Sequence, residues 1–531
     1  MASDSSNREL LAEKECAVFE AHAEQFSSGG ELAHIGSLLQ RASSNYFDDL
    51  ALTTPKGDFS FGRLYFLSIK LSQELYSAGL QAHDRVMIHA ENSAFFYIAY
   101  FAILQAGGVV VPVNTFLHTK ELAYIIREAA PTFVLAQDCY APKMRVGFEE
   151  AGIEKVPVWG ESHIDWSVKV DSKDDLPDFQ PTYLSSDVIA AILYTSGTTG
   201  APKGIALSSR NMVTNGLQLM TRMNSLGLGR EKFFAILPLF HAFAQNACIW
   251  LPFMSGSSVI VVPKIERRWL RDGLKKKPTM LVGVPALYGI LCMMKNVRMD
   301  SVKLFVSGAD SLPDKIKTYF GLLYGRKLCE GYGLTEASPV VSMCDCMRTG
   351  ADCNVGRPLH GVECEIRDDK DNVVPDGQSG VLHVRGDNVM LGYYKDVELT
   401  SEFLQNGWFN TGDIVSIGRN GRIKILGRVK DLIIHKGLNV YPQEIENVLM
   451  RHPKVARAAV LARKDDSSGQ VPIAFVSLRD GSQPEVSHEL RRHCAKFLAA
   501  YKVPKSVVSL DNIPVNATGK IDKKKLRQIG E

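Results

Sequence analysis

Short apolar runs alternate along most of the chain with longer segments of helical periodicity. Between residue 31 and about 180, "FGRLYFLSIKLSQELYSAGL" has the spacing of a helix, whereas "DRVMIHA" and "GGVVVPVN" are short and β-branched, as buried strands are. A polar stretch, "DSKDDLPDFQPTYLSSD", interrupts the alternation, which resumes with "DVIAAILYT", "KFFAILP", "SSVIVVP", "PTMLVGVP" and "VKLFVSGA". Strands spaced by helices predict parallel β-α units, whose functional loops lie at the carboxyl ends of the strands. From about 355 to 428 the texture changes to short strands between turns, "GVECEIRD", "SGVLHVRG" and "GRIKILG". Pro442 then suits the first turn of a helix with Ile445, Val448 and Leu449 as its apolar face. Two strands, "ARAAVLAR" and "PIAFVSL", and a helix from Glu485 to Tyr501 complete that region. The pattern therefore predicts an α/β protein. Residues 1–30 form a polar extension leading into an amphipathic helix, residues 31–429 a large domain of parallel β-α subdomains plus a small β-rich one, and residues 430–531 a small α+β C-terminal domain.

A length of 531 residues suits roughly two to four domains. With 45% hydrophobic and 22% charged residues the composition is that of a globular protein, and a net charge of +3 gives no reason to expect nucleic acid as a partner. Lys275-Lys276-Lys277 reads as a solvated helix end, with weak peripheral contact to anionic lipid as the other reading. The stretch from His241 to Pro263 is broken by polar residues, Pro and Gly, so a core helix followed by a strand is expected rather than a transmembrane segment. The N-terminal residues lack the features of a signal peptide, and "RQIGE" matches no retention or peroxisomal address. Ten cysteines without a disulfide pattern point to a reducing, cytoplasmic setting. Cys344, Cys346 and Cys353, with His360 and Cys364 beyond, lack the paired CxxC spacing of a zinc site and read as reduced loop cysteines.

The segment "YTSGTTGAPKG", Tyr194 to Gly204, follows one of the predicted strands. Thr195, Ser196, Thr198 and Thr199 supply hydroxyls, Gly197, Gly200 and Gly204 let backbone amides approach an anion, and Lys203 adds a positive charge. That combination suits a polyphosphate; an ordinary Gly/Ser/Thr surface loop is the alternative. It is not a Walker A loop. Counting from Gly197, Pro202 stands where the second glycine belongs, and Gly204 where Ser or Thr must bind magnesium.

Five segments in order resemble the adenylate-forming superfamily of acyl- and aryl-CoA synthetases, firefly luciferase and peptide-synthetase adenylation domains. They are "YTSGTTGAPKG", "GYGLTEASP", "WFNTGD", "GRVKDLIIHKGLNVYPQEIE" and "NATGK", and the likeness extends over the chain beyond its first 30 residues. It implies an enzyme in which a carboxylate attacks the α-phosphate of ATP and a thiol then displaces AMP. Neither half needs a protein nucleophile; positioning and charge neutralisation suffice. On this resemblance the 194–204 loop wraps the outer phosphates, Glu336 is the Mg2+ ligand and Thr335 meets the α-phosphate. Tyr332 and the Ser307-Gly308-Ala309 backbone flank adenine, while Asp413 and Arg428 hold the ribose. Taken singly, Asp413 could be turn chemistry, Glu336 a helix cap and Tyr332 core packing. Lys520 would bridge the carboxylate and α-phosphate. The C-terminal domain is implied to swing about Lys430, bringing Lys436 and Gly437 to the thioester step.

His241 is placed by the resemblance between nucleotide and acid, though a hydrogen-bonded core histidine fits the same position. Ala242 stands where peptide synthetases commonly carry an aspartate for the substrate ammonium, which argues against an amino acid. Apolar residues at 282–287 and 339–341 favour a fatty acid, with an aromatic acid second. Coenzyme A is the expected thiol, a free-standing acyl carrier protein the alternative acceptor, and a non-catalytic ATP-binding scaffold the alternative of another class. Nothing in the pattern fixes an oligomeric state.

Overall fold

The computed structural model describes residues 2–154, 156–195, 202–294, 297–343, 354–375, 377–436, 438–465, 469–479, 486–515 and 521–530. Helix α1 (Ala2–Gln25) opens the chain, so the expected polar tail is helical from its second residue. The run is rich in Ala and Glu, both good helix formers.

Two parallel units follow with the same wiring. In the first, β1 (Arg85–His89), α2 (Ala94–Gln105), β2 (Val109–Pro112), α3 (Thr119–Ala129), β3 (Phe133–Ala136) and β4 (Val158–Trp159) give the strand order β2-β1-β3-β4. Strand β5 (Ile189–Thr195) joins β2 in parallel, β6 (Lys203–Ser208) returns antiparallel to β5, and α4 (Ser209–Ser225) leads out. The second unit begins with β7 (Lys232–Ala235) and α5 (Ala242–Gln245), which runs through a π-helical turn (Asn246–Trp250) into Leu251–Met254. It continues through β8 (Ser258–Val261), α6 (Arg267–Leu274), β9 (Met280–Gly283), α7 (Pro285–Met293) and β10 (Leu304–Ser307), in the order β8-β7-β9-β10. Helix α8 (Asp314–Tyr324), parallel strand β11 (Cys329–Gly333) and antiparallel strand β12 (Val340–Met343) extend that sheet.

The two sheets meet through the helices that follow their first strands. Every residue of α2 is buried, as is most of the α5 run. The Tyr97 hydroxyl donates to Cys248 O at 2.9 Å, and Trp250 Nε1 donates to the Tyr100 hydroxyl at 2.9 Å. These helices are apolar all round because they lie between two sheets, not on a surface. The hairpin Leu50–Thr54/Gly57–Ser60 adds to the edge of the second sheet, pairing with β8. Helix α1 packs on α4, where Glu15 forms a buried ion pair with Arg222 Nε at 2.7 Å. Arg222 also donates to Met343 O at 2.8 Å and Pro358 O at 3.2 Å.

A third sheet carries β13 (Trp408–Ile417) and β14 (Ile423–Arg428). The small C-terminal domain has its own five-stranded sheet, with the hairpin β15 (Ile433–His435)/β16 (Leu438–Val440) and helix α9 (Pro442–Arg451). Pro442 opens α9 and Ile445, Val448 and Leu449 face its core. The expected helix from Glu485 to Tyr501 spans Val486–Phe497 and is followed by a short 3-10 turn at Ala500–Lys502. No described helix is long and apolar enough to cross a membrane.

Candidate active site

The carboxyl ends of the second sheet and the inner edge of the third sheet face one another. Ser307 ends β10, and the chain continues through Gly308 to Ala309 at φ +68°, a left-handed conformation that costs a non-glycine residue about 1–3 kcal/mol. A Cβ on Gly308 would lie 3.0 Å from the Phe243 ring, so glycine lets that ring close over the backbone. Tyr332 is the penultimate residue of β11, and its hydroxyl donates to Asp413 Oδ2 at 2.6 Å. Asp413 on β13 sits directly opposite Arg428 on β14, and Arg428 Nε meets Asp413 Oδ1 at 2.8 Å. Asp413 is 3% exposed, so this carboxylate is held in place by a phenol and a guanidinium that converge from two different sheets. Burial, and then the Asp413 charge, pushes the Tyr332 phenol well up, so it stays a hydrogen-bond donor.

Glu336 lies in a 3-10 turn, Thr335–Ala337, just beyond β11. Met390 N donates to Glu336 O at 2.8 Å and Asn388 Nδ2 to Ala337 O at 2.9 Å, tying the turn to the 388–394 segment. The same segment is stitched to β6 through Leu391 N to Ala206 O at 3.0 Å and Tyr394 N to Gly204 O at 2.7 Å. Tyr393 thereby stands near both: burial and then the Glu336 charge push its phenol up, and Lys203 Nζ lies 5.3 Å above its ring. Burial raises the Glu336 carboxyl above the usual carboxylate range, against the pull of Arg428 and Lys203. Among the described residues Glu336 makes no ion pair.

Thr195 and Lys203 flank the glycine-rich loop at the ends of β5 and β6, opposite one another in register. Lys203 begins a strand, not a helix, in keeping with the exclusion of a Walker A loop. Ser196, Gly197, Thr198, Thr199 and Gly200 lie outside the described residues, as do Gly437, Lys520 and Cys344, Cys346 and Cys353. His241 precedes α5 with its ring 4.5 Å from that of Phe240. Lys436 sits at φ +50° on the exposed tip of the β15/β16 hairpin, without a hydrogen bond or ion pair among the described residues. The structure thus gathers Tyr332, Asp413, Arg428, Glu336 and Lys203, and leaves Lys436 apart from them.

Sequence reasoning missed Tyr393 and Phe243. Tyr393 is seen only through the folded 388–394 segment, which is far in sequence from both partners. Phe243 stood inside an apolar helix, where nothing local separates a pocket residue from core.

The family model described as AMP-binding enzyme matches residues 39–394, and that described as AMP-binding enzyme C-terminal domain matches residues 444–520. The chain is 31% identical over 525 residues to a long-chain-fatty-acid–CoA ligase of Escherichia coli O6:H1, covering 92% of this chain and 93% of that one. It is 30% identical over 494 residues to 4-coumarate–CoA ligase 1 of Petroselinum crispum, covering 88% of each. Among solved structures it resembles ATP-bound MatB of Rhodopseudomonas palustris, with a TM-score of 0.84 and 28% identity over 93% of this chain and 98% of that one. The anthranilate CoA ligase AuaEII with anthranoyl-AMP gives a TM-score of 0.85 and 25% identity over 94% and 97%. The chain belongs to the AMP-binding family of adenylate-forming enzymes, and is an AMP-forming acid–thiol ligase that uses ATP and coenzyme A.

Proposed function

We propose that this acid–thiol ligase activates an unsubstituted aliphatic acid, a fatty acid, and passes the acyl group from its adenylate to coenzyme A. The observation that carries the choice of acid is the apolar character of the 282–287 and 339–341 segments. Val282, Leu287, Val340 and Val341 are buried and apolar, and Ala242 offers no charge for a substrate ammonium. An aryl acid is the second reading, favoured by the likeness to 4-coumarate–CoA ligase.

In this reading Asp413 accepts from the ribose hydroxyls and Arg428 donates beside it, already oriented by Tyr332. Tyr332 and the Ser307–Ala309 backbone border adenine, Thr335 meets the α-phosphate, and Lys203 with Thr195 and the loop between them takes the outer phosphates. Glu336 fits a divalent cation: it is a half-buried carboxylate, its backbone tied to Met390, and it is not neutralised by an ion pair among the described residues. Mg2+ held there would supply charge neutralisation to the polyphosphate. Lys520 bridges carboxylate and α-phosphate, and His241 orients the acid.

The two half-reactions need different groups, so the unit from Lys430 to the C-terminus, hinged on the 31–429 body, re-docks to bring Lys436 and Gly437 to the thioester step. The present docking supports this reading because it is polar and exposed. Gln443 Nε2 donates to Ser311 Oγ at 2.7 Å and Arg451 pairs with Asp314 at 3.1 Å. Exposed pairs of this kind contribute about 0–1 kcal/mol each and are readily exchanged.

The free thiols Cys16, Cys139, Cys248, Cys292, Cys329, Cys364 and Cys494 suit a reducing, cytoplasmic setting. Lys275, Lys276 and Lys277 are exposed at the end of α6, and Met293, Leu322 and Leu323 are exposed at the ends of α7 and α8. A basic rim beside apolar side chains supports weak contact with anionic lipid. Co-sedimentation with anionic but not neutral vesicles would bear this out, and equal binding to both would count against it.

The direct test of the function is incubation with ATP, Mg2+, coenzyme A and a ladder of fatty and aromatic acids, with products identified by mass. Acyl-CoA from the aliphatic ladder is expected. Aroyl-CoA alone would move the assignment to the aryl reading. Adenylate that ignores coenzyme A would point to an acyl carrier protein, and absence of pyrophosphate with every acid would contradict a ligase.

A further inference from the structure

Asn92 links the two parallel units at one point. It follows β1 of the first unit, is 3% exposed, and directs its side chain into the second. Nδ2 donates to Leu237 O at 2.9 Å, Val262 O at 3.1 Å and, more weakly, Ala235 O at 3.3 Å, while Oδ1 accepts from Leu239 N at 2.9 Å. Ala235 ends β7, Val262 follows β8, and Leu237 and Leu239 belong to the irregular run from β7 to His241. Leu239 is 1% exposed and Pro238 has no amide hydrogen, so this run has little means of satisfying its own backbone. Asn92 is the partner of Leu237 O and Leu239 N among the described residues.

The topology says which side is being braced. In the order β8-β7-β9-β10 the connections reverse direction between β7 and β9, and that reversal opens the crevice in which an α/β sheet takes its ligand. Asn92 sits on the far side of β7, at the β7/β8 seam. Among the described residues its side-chain hydrogen bonds reach none of Ser307, Gly308, Ala309, Tyr332, Glu336, Asp413 or Arg428. What it fixes is the stretch that ends in His241 and starts α5, whose Phe243 covers Gly308.

We propose that Asn92 is a positioning residue for acid activation: it holds the 236–241 run from behind, so that His241 stands against the acid. An amide is required because the site offers three carbonyl oxygens and one N–H. A carboxylate would keep the acceptor and repel the carbonyls, and an alanine would leave Leu239 N and Leu237 O buried and unpaired. Misplacing a reacting group by about 1 Å can cost roughly 100-fold in rate. The inference rests on the proposed role of His241.

The test is ATP–pyrophosphate exchange by Asn92→Ala, Asn92→Asp, His241→Ala and the Asn92→Ala/His241→Ala pair, with hydrogen exchange of the same proteins. Asn92→Ala should lower kcat/KM for the acid about 10- to 100-fold while KM for ATP stays within about twofold. Asn92→Asp should be at least as damaging. The double variant should be no worse than His241→Ala, because one residue acts through the other. Equal rises in both KM values, or effects that multiply in the double variant, would reduce Asn92 to a structural residue. Hydrogen exchange reads the brace without turnover: the Leu239 amide should be protected in the native protein and lose protection in Asn92→Ala, while β1 and β3 keep theirs. Unchanged protection at 236–243 would overturn the proposal even if no acid supports exchange. Native protein inactive with every acid would instead overturn the ligase reading. Should Asn92→Ala fail to fold, Asn92→Ser, which keeps one donor and one acceptor, is expected to fall between the native protein and His241→Ala.

Discussion

The two parallel units share one strand order, yet Ser307–Ala309, Tyr332 and Glu336 gather at the carboxyl ends of the second sheet, to which the first sheet adds Thr195 and Lys203 from β5 and β6 rather than from its own crevice. At the first, the crevice is filled. His89 ends β1 fully buried, with its ring 5.0 Å from that of Tyr140. The Tyr140 hydroxyl donates to Glu91, Lys264 pairs with Glu91 at 3.0 Å, and Lys143 Nζ donates to Thr115 O at 2.9 Å. Tyr140, Glu91, Lys264, Lys143 and Thr115 are thus engaged with neighbours, while both ring nitrogens of the buried His89 lack a hydrogen-bond partner among the described residues. At the second, Glu336 lacks an ion pair among the described residues, Gly308 exposes its backbone to Phe243, and Ala309 is held at positive φ. The same fold makes a joint where its carboxylate, Glu91, is already engaged by a phenol and an ammonium, and a site where a carboxylate, Glu336, is left without an ion pair among the described residues.

Matched substitutions break the comparison most sharply. Glu336→Gln should lower adenylate formation about 100- to 1,000-fold or more, the scale of losing a preorganised charge contact. Tyr140→Phe, at the equivalent end of the first unit, should change activity by no more than about threefold and be felt in thermal stability, where a hydrogen bond to a charged group contributes about 1.5–3 kcal/mol. Pyrophosphate release and thermal unfolding of both variants check this contrast.

A smaller effect is expected from Tyr332→Phe. It keeps the ring and deletes the donor to Asp413, so KM for ATP should rise about tenfold, with KM for the acid little changed, in steady-state kinetics. Next comes pH. Burial first, and Lys143 second, depresses the His89 imidazole to about 4; burial depresses His34 to about 4 as well. The unfolded chain therefore takes up protons on these residues sooner than the folded one. Stability should fall as pH drops from about 6.5 towards 4, and a His34→Gln/His89→Gln variant should show a flatter Tm profile over that range. Glu336 has the opposite sign. Its raised carboxyl costs stability as pH rises through its folded pKa, so Glu336→Gln should melt higher than native protein at neutral pH while being inactive. The smallest effect is expected from Ala309→Gly in thermal unfolding: relief of the positive φ, about 1–3 kcal/mol, is partly offset by greater freedom of the unfolded chain.

Much of the fold was legible because it is written locally. The β-branched run before Tyr194 is β5, "PTMLVGVP" contains β9, and Pro442 opens α9. The broken apolar stretch from His241 to Pro263 is a helical run followed by β8, as its polar interruptions implied. What could not be read depends on contacts distant in sequence. The 50–60 hairpin joins the second sheet by pairing with β8, some 200 residues on, and nothing in "LALTT" selects that neighbour. The polar N-terminal segment gave no sign of its particular anchor, Glu15 against Arg222, because that is an ion pair between segments far apart. The site was half legible. Tyr332, Glu336, Asp413 and Arg428 lie in recognisable segments and come together, but Tyr393 and Asn92 act through folded neighbours that no spacing announces.

The most direct measurement is ATP–pyrophosphate exchange, with fatty acid and Mg2+, by the native protein, Glu336→Gln and Tyr140→Phe side by side. The account predicts acid-dependent exchange by the native protein and Tyr140→Phe, and a loss of at least about 100-fold in Glu336→Gln. Equal losses in the two variants, or full exchange by Glu336→Gln, would contradict the assignment of the chemistry to the second unit.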